Sequence, residues 1–156
     1  MADDERGSGA GGARKTGAAG DAAGAWFAAD RVSGLLGFTL VESGPGRAVL
    51  RMAVRGDMVN GHGTAHGGYL FLFADTAFAC ACNSHGPLTV AAGADIDFLA
   101  PVHEGDTLLA VAEERTRAGR SGIYDVRLLC GETVVAEFRG RSRTLRPGNG
   151  GTTTGS

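Results

Sequence analysis

Apolar and polar positions recur with two different periods along this chain, and the changes of period divide it into elements. Residues 35–42 and 47–55 show the two-residue alternation of half-buried strands and are joined by Ser43-Gly44-Pro45-Gly46, a strong turn sequence. Met58 to Ala65 reads as a Gly-rich loop. From about His66 to Asn83 nearly every position is apolar, so the run predicts a helix buried on all faces rather than a striped surface helix. His85-Gly86-Pro87 ends it. Four strand-like runs follow, 88–99, 106–116, 121–130 and 132–145, separated by Pro101–Gly105, Ala118–Arg120 and a tight turn at Gly131. Trp26 and Phe27 mark the start of folded material, a short helix reaching about Asp30. Consecutive strands on short turns imply an antiparallel sheet, hence an α+β class. A helix apolar all round needs cover on more than one face, which a curled sheet and a partner molecule together would supply.

The ends of the chain read differently. Residues 1 to about 24 hold Gly, Ala and scattered charges with no large apolar side chain, so burial cannot offset their ordering entropy and a disordered tail is expected. Pro147 to Ser156 reads the same way, leaving one folded domain over 25–146. With 156 residues, a net charge of −2 and 43% hydrophobic residues, neither nucleic acid nor a membrane surface is expected as the main partner. The only lysine is Lys15. Cys80, Cys82 and Cys130 form no disulfide framework and read as buried small hydrophobes in a reducing compartment. No apolar run reaches the roughly 20 residues of a membrane span, and Met1-Ala2-Asp3-Asp4-Glu5 lacks a secretory start, so the cytoplasm is the expected location.

One residue breaks the apolar helix. Asp75 is its only acid, and the neighbours three and four residues away are Phe71, Leu72, Phe78 and Ala79, so no local cation offsets the charge. A carboxylate in such surroundings is costly to desolvate unless something pairs with it, which makes Asp75 a candidate for chemistry.

The run Asn60-Gly61-His62-Gly63-Thr64-Ala65-His66-Gly67-Gly68, followed by Leu72 to Ala79 around Asp75 and by Ala81-Cys82-Asn83-Ser84, resembles the hotdog-fold acyl-CoA thioesterases of the PaaI type, which act in phenylacetate degradation. Asp95 to Pro101, Gly105-Asp106, Gly119-Arg120 through Tyr124-Asp125, and Phe138 to Ser142 extend the likeness over about residues 26–146. The resemblance implies a hotdog fold, a curled antiparallel sheet wrapped around the long helix. It implies hydrolysis of acyl-CoA, with coenzyme A as part of the substrate and no separate cofactor. It also implies a homo-oligomer, a dimer of dimers. The backbone N–H of Gly67, alone or with that of Gly68, would accept charge from the carbonyl oxygen, since helix starts present free N–H groups and a positive dipole end. Asp75 would activate water or attack directly.

Helix geometry adds a constraint. Eight residues at 1.5 Å each set Gly67 and Asp75 about 12 Å apart along the axis, too far to serve one carbonyl. Two antiparallel copies of the helix would bring Gly67 of one chain near Asp75 of the other, so a site shared across a dimer is expected. Asn60 matches a family residue that contacts the thioester or orients water, and is otherwise a turn residue. His66 would donate towards the carbonyl or cap the helix. Tyr69, Phe73 and Phe98 would surround an aryl, phenylacetyl-type acyl group. Arg120 and Arg139, with Arg117 and Arg141, are candidates for the coenzyme A phosphates, or else a solvated strand face. A metal on His62, His66 and Asp75 is disfavoured because His62 sits in the Gly-rich loop. Two other readings compete. Asp57 and His62 have the spacing of a hotdog enoyl-CoA hydratase pair, but the intervening residues do not match. A non-catalytic acyl-CoA sensor would ordinarily lack the acid or carry a DNA-binding appendage, and neither tail has that pattern.

Overall fold

The computed structural model describes residues 18–148, so the expected tails 1–17 and 149–156 lie outside the described residues. Two helices open the fold, α1 (Ala18–Ala29) and α2 (Arg31–Leu36). Strands β1 (Thr39–Gly44) and β2 (Arg47–Ala53) follow, then a single 3-10 turn at Gly56–Met58 and the central helix α3 (Gly67–Asn83). The chain ends in β3 (Thr89–Phe98), β4 (Thr107–Ala118), β5 (Ser121–Cys130) and β6 (Thr133–Thr144). All pairings are antiparallel, in the order β1-β2-β4-β5-β6-β3.

Two boundaries differ from the sequence reading. Residues 18–24, expected in the tail, are helical, and Ala23 is fully buried; Ala has the highest helix propensity, so an Ala-rich run extends the helix that Trp26 and Phe27 dock. Residues 35 and 36, expected in a strand, close α2 instead. Asp30 caps that helix by accepting the Ser33 N–H at 3.2 Å, and Gly37 ends it in a left-handed conformation, with φ 72°. The four C-terminal strands match their expected positions within two residues.

The core forms where the inner face of the sheet meets α3. Phe78 sits 5.5 Å from the Tyr124 ring and 5.8 Å from that of Phe138. A Cβ at Gly140 would lie 2.8 Å from three atoms of Phe78, so only glycine lets β6 run under this ring. The C-terminal end of α3 is tied down by its own polar residues. Asn83 donates to Thr89 O and accepts the Thr89 N–H, both at 2.9 Å, clipping the helix to β3. Ser84 accepts the Gly46 N–H at 2.8 Å, reaching the β1–β2 turn.

The helix is not covered on every side by its own chain. Gly68, Phe71, Leu72, Asp75 and Ala79 retain exposure, and at about 100° per residue they fall in one stripe along the helix. The acid therefore lies on the one face that the sheet leaves open. Strand β3 is an edge strand exposed along most of its length, with Val90 and Phe98 at 40% and 53%.

Candidate active site

The loop before α3 folds back on the segment after β3. Ala65 N–H donates to Val102 O at 2.7 Å, His66 N–H to Met58 O at 2.7 Å, and an isolated bridge joins Thr64 to His103. This zipper sets the start of α3 beside residues 98–102. Between them lies a groove of about 530 Å³, lined by Thr64, Ala65, Gly67, Leu70, Phe98, Leu99, Ala100, Pro101 and Val102. Its lining side chains are apolar apart from Thr64.

Gly67 lines the groove, His66 precedes it in the chain, and Asn60 lies in the loop before α3. His66 is the N-cap of α3, and its Nδ1 accepts the Gly68 N–H at 3.2 Å. The Tyr69 N–H donates to His66 O at 3.0 Å. The Gly67 N–H makes no hydrogen bond among the described residues, so the groove meets the positive end of a 17-residue helix at one free donor. A ring that accepts at Nδ1 carries its proton on Nε2, so His66 caps the helix and keeps a second donor. A Cβ at Gly67 would lie 2.9 Å from Phe98 Cζ, so a glycine is needed where this ring closes over the helix start.

Asn60 organises the loop. Its Oδ1 accepts from the His62 N–H at 2.9 Å, the Thr64 N–H at 3.3 Å and the Thr64 hydroxyl at 3.2 Å, while Nδ2 has no partner among the described residues. These contacts match the reading of Asn60 as a turn residue, and they leave its Nδ2 donor without a partner among the described residues.

Asp75 does not line this groove. Its carboxylate makes no hydrogen bond or ion pair among the described residues, and burial pushes its pKa up, with the Asp30 carboxylate adding to the effect. Asp30 is a residue the sequence reading did not connect with the site. Its signal was the Asp-x-x-Ser cap ahead of Val32, Leu35 and Leu36 at helical spacing. Burial also pushes the Cys80 and Cys82 thiols up to about 12, so both are neutral and unreactive.

The expected aryl pocket is redrawn. Phe98 lines the groove, but Phe73 is fully buried in the core, 5.1 Å from the Phe38 ring, and Tyr69 packs against the core from the far side of the helix. Leu70, Leu99, Pro101 and Val102 also line the groove, and no periodicity in the sequence marks them, because it forms where the start of α3 meets the end of β3 and the segment after it.

The arginines separate as well. Arg139 donates to both oxygens of Asp125, at 2.7 and 2.9 Å, on the outer face of the sheet. Arg141 is held by Asp95 at 2.8 Å. Arg120 makes no ion pair among the described residues and lines a second cavity of about 220 Å³ with Arg117, Ser121, Tyr124 and Ser142. Beside it, His85 and the Tyr124 hydroxyl both contact Glu114 Oε2, at 2.6 and 2.7 Å. That cavity also includes Cys82, at the opposite end of α3 from Gly67, some 22 Å away along the axis at 1.5 Å per residue. Among the described residues, no three His, Cys, Asp or Glu side chains gather to hold a metal, and no helix is long and apolar enough to cross a membrane.

Comparison with known proteins was made on this geometry. A family model described as the thioesterase superfamily matches residues 62–137. The acyl-coenzyme A thioesterase PaaI of Escherichia coli is 43% identical over 132 residues, 84% of this chain and 91% of that protein. The structure of the E. coli PaaI protein from the phenylacetic acid degradation operon superposes with a TM-score of 0.79 at 42% identity, covering 81% of this chain and 92% of the other. A mutant of the phenylacetic acid degradation protein PaaI from Thermus thermophilus gives 0.72 at 37% identity, with 74% and 100% covered.

Proposed function

Because the chain belongs to the thioesterase superfamily, among the hotdog-fold enzymes of the PaaI type, and is therefore a thioester hydrolase, we propose that its substrates are acyl-CoA thioesters bearing an aryl, phenylacetyl-type acyl group. The observation that carries this reading is the free Gly67 N–H, placed at the positive end of α3 and opening into an apolar groove. In the reaction that N–H receives the charge that develops on the carbonyl oxygen. His66 Nε2–H and Asn60 Nδ2 are the further donors to that oxygen. The acyl group occupies the groove against Phe98, Leu99 and Pro101.

Asp75 belongs to the same reaction but to the other copy of the chain. In the general-base route it takes a proton from water as the water oxygen bonds to the carbonyl carbon; the C–S bond then breaks and the thiolate of coenzyme A leaves. In the nucleophilic route its own oxygen attacks, and water opens the resulting anhydride. Burial and the Asp30 carboxylate raise its pKa, which makes the carboxylate a stronger base than an exposed one.

Two observations support the shared site. Asp75 sits on the uncovered stripe of α3, about 12 Å along the axis from Gly67, and Arg120 lies near the helix's other end. An antiparallel pairing of two copies along that stripe corrects both distances at once: it brings Asp75 to the other chain's Gly67 and Arg120 towards the coenzyme A phosphates. The exposed β3 edge offers unpaired backbone groups for the same association. A tetramer built from two such dimers remains part of the proposal.

The test is a panel of aryl and aliphatic acyl-CoA thioesters followed by thiol release, on wild type and Asp75→Ala, with gel filtration of both. Aryl substrates should turn over fastest, the variant should be inactive, and the protein should elute larger than a monomer. Comparable turnover by Asp75→Ala overturns the mechanism. Binding of acyl-CoA without turnover by wild type would replace it with a sensor.

A further inference from the structure

The free amide of Asn60 is held by its neighbour four residues on. Of the three donors that reach Asn60 Oδ1, two are backbone N–H groups, and the third is the Thr64 hydroxyl, whose residue also lines the groove. A carbonyl oxygen has two lone pairs, so three donors leave it no capacity for a substrate. Turning the amide over would set its NH2 group against two backbone N–H donors, so the loop backbone fixes which end of Asn60 remains available, and the Thr64 hydroxyl adds a third hold on the oxygen. We propose that Thr64 is a positioning residue for thioester hydrolysis, its hydroxyl holding Asn60 Oδ1 in place so that Nδ2 is aimed at the carbonyl. The inference rests on the role given to Asn60 above.

Thr64 is suited to the task because its own backbone is fixed on both sides. Its carbonyl accepts the Asn60 N–H at 2.8 Å, and it bridges to His103 across the zipper. A β-branched side chain on such a backbone has few rotamers, so the hydroxyl is aimed rather than merely present. Without it the amide keeps two backbone donors but loses the one that comes from the groove wall. An amide held less firmly there aims Nδ2 less well at the carbonyl oxygen, a loss that grows as that oxygen gains charge. The effect therefore falls on kcat more than on KM.

The experiment combines Thr64→Val, which keeps the shape and removes the hydroxyl, with Thr64→Ser, which restores it, each in the wild-type and Asn60→Ala backgrounds. Steady-state kinetics on an acyl-CoA substrate and thermal melts are read for all. Thr64→Val should lower kcat about three- to tenfold, the worth of one ordinary hydrogen bond, with KM within about twofold. Thr64→Ser should recover most of the rate, and Thr64→Val should have no further effect once Asn60 is Ala. An equal loss in both backgrounds, or no loss in either, overturns the positioning role while leaving Asn60 in place. Wild-type turnover by Asn60→Ala would instead remove the underlying reading of Asn60.

Discussion

Substituting Gly67 by Ala keeps the N–H proposed to bind the oxyanion and changes only what stands beside it. The new methyl would lie 2.9 Å from Phe98 Cζ, 3.3 Å from Cε2 and 3.5 Å from Cε1. Carbon atoms rest at about 3.5–4.0 Å, so the ring tip must retreat by roughly 0.8 Å. If nothing could yield, overpacking of this kind would cost about 1–3 kcal/mol. Phe98 is 53% exposed at the end of β3, and so can swing aside at about 0.5–1.5 kcal/mol. Replacing glycine in a helix returns about 0.5–1 kcal/mol. The terms nearly cancel, and the melting temperature should move by no more than about 5 °C. The rate has no such cancellation: a methyl beside the donor and a displaced groove wall misplace the thioester, and an error near 1 Å can cost about 10²-fold. The assay measures melting temperature and kcat/KM for Gly67→Ala, Phe98→Ala and the double variant. The double variant should be more stable than Phe98→Ala alone by the helix gain. Wild-type kcat/KM in Gly67→Ala would refute the placement of the reacting carbonyl.

Other outcomes follow from the same geometry. Asp75→Asn should abolish turnover yet stabilise the protein at neutral pH. Burial and Asp30 raise the carboxyl's pKa in the folded state, so ionisation opposes folding; the penalty is absent below the unfolded value of about 3.9 and complete above the folded one. The difference in melting temperature between variant and wild type should therefore open as pH rises from about 3.5 towards 8, and a difference independent of pH would contradict this. Arg120→Ala should raise KM for acyl-CoA several-fold, whereas Arg139→Ala, already engaged by Asp125 on the outer face, should leave KM unchanged. The reverse ranking in steady-state kinetics would move the phosphate site to the outer face.

Much of this arrangement is legible in the amino-acid order because it depends on local chemistry. The central helix is an apolar run too long for a strand, and turns at Ser43–Gly46, Ala118–Arg120 and Gly131 set the hairpins. Asn60, His66 and Gly67 stand within eight residues of one another, so their grouping survives any tertiary detail. What escaped depends on non-local contact. The run from Leu35 to Leu40 holds four large apolar residues and hides the break at Gly37 where α2 ends. Phe73 and Phe98 look alike in a sequence, yet one faces Phe38 in the core and the other closes over Gly67. Asp125 faces Arg139 in the β5–β6 register, whereas Arg120 lies in the turn between β4 and β5 with no ion-pair partner among the described residues.

The position of β3 has a consequence for how the protein is made. It is synthesised directly after α3 but lies at the far edge of the sheet, hydrogen-bonded only to β6, with Thr89 opposite Thr144. At a ribosomal rate of about 5–20 residues per second, the roughly 50 residues that follow β3 take some seconds to appear. Throughout that interval the helix that carries Asp75 has one side of its sheet missing, and the wall that Phe98 and Leu99 give the groove cannot be set. The last of these strands to leave the ribosome is thus the one on which β3 and its groove wall wait, and a nascent chain stopped before β6 holds every proposed active-site residue from Asn60 to Asp75 without the groove beside them.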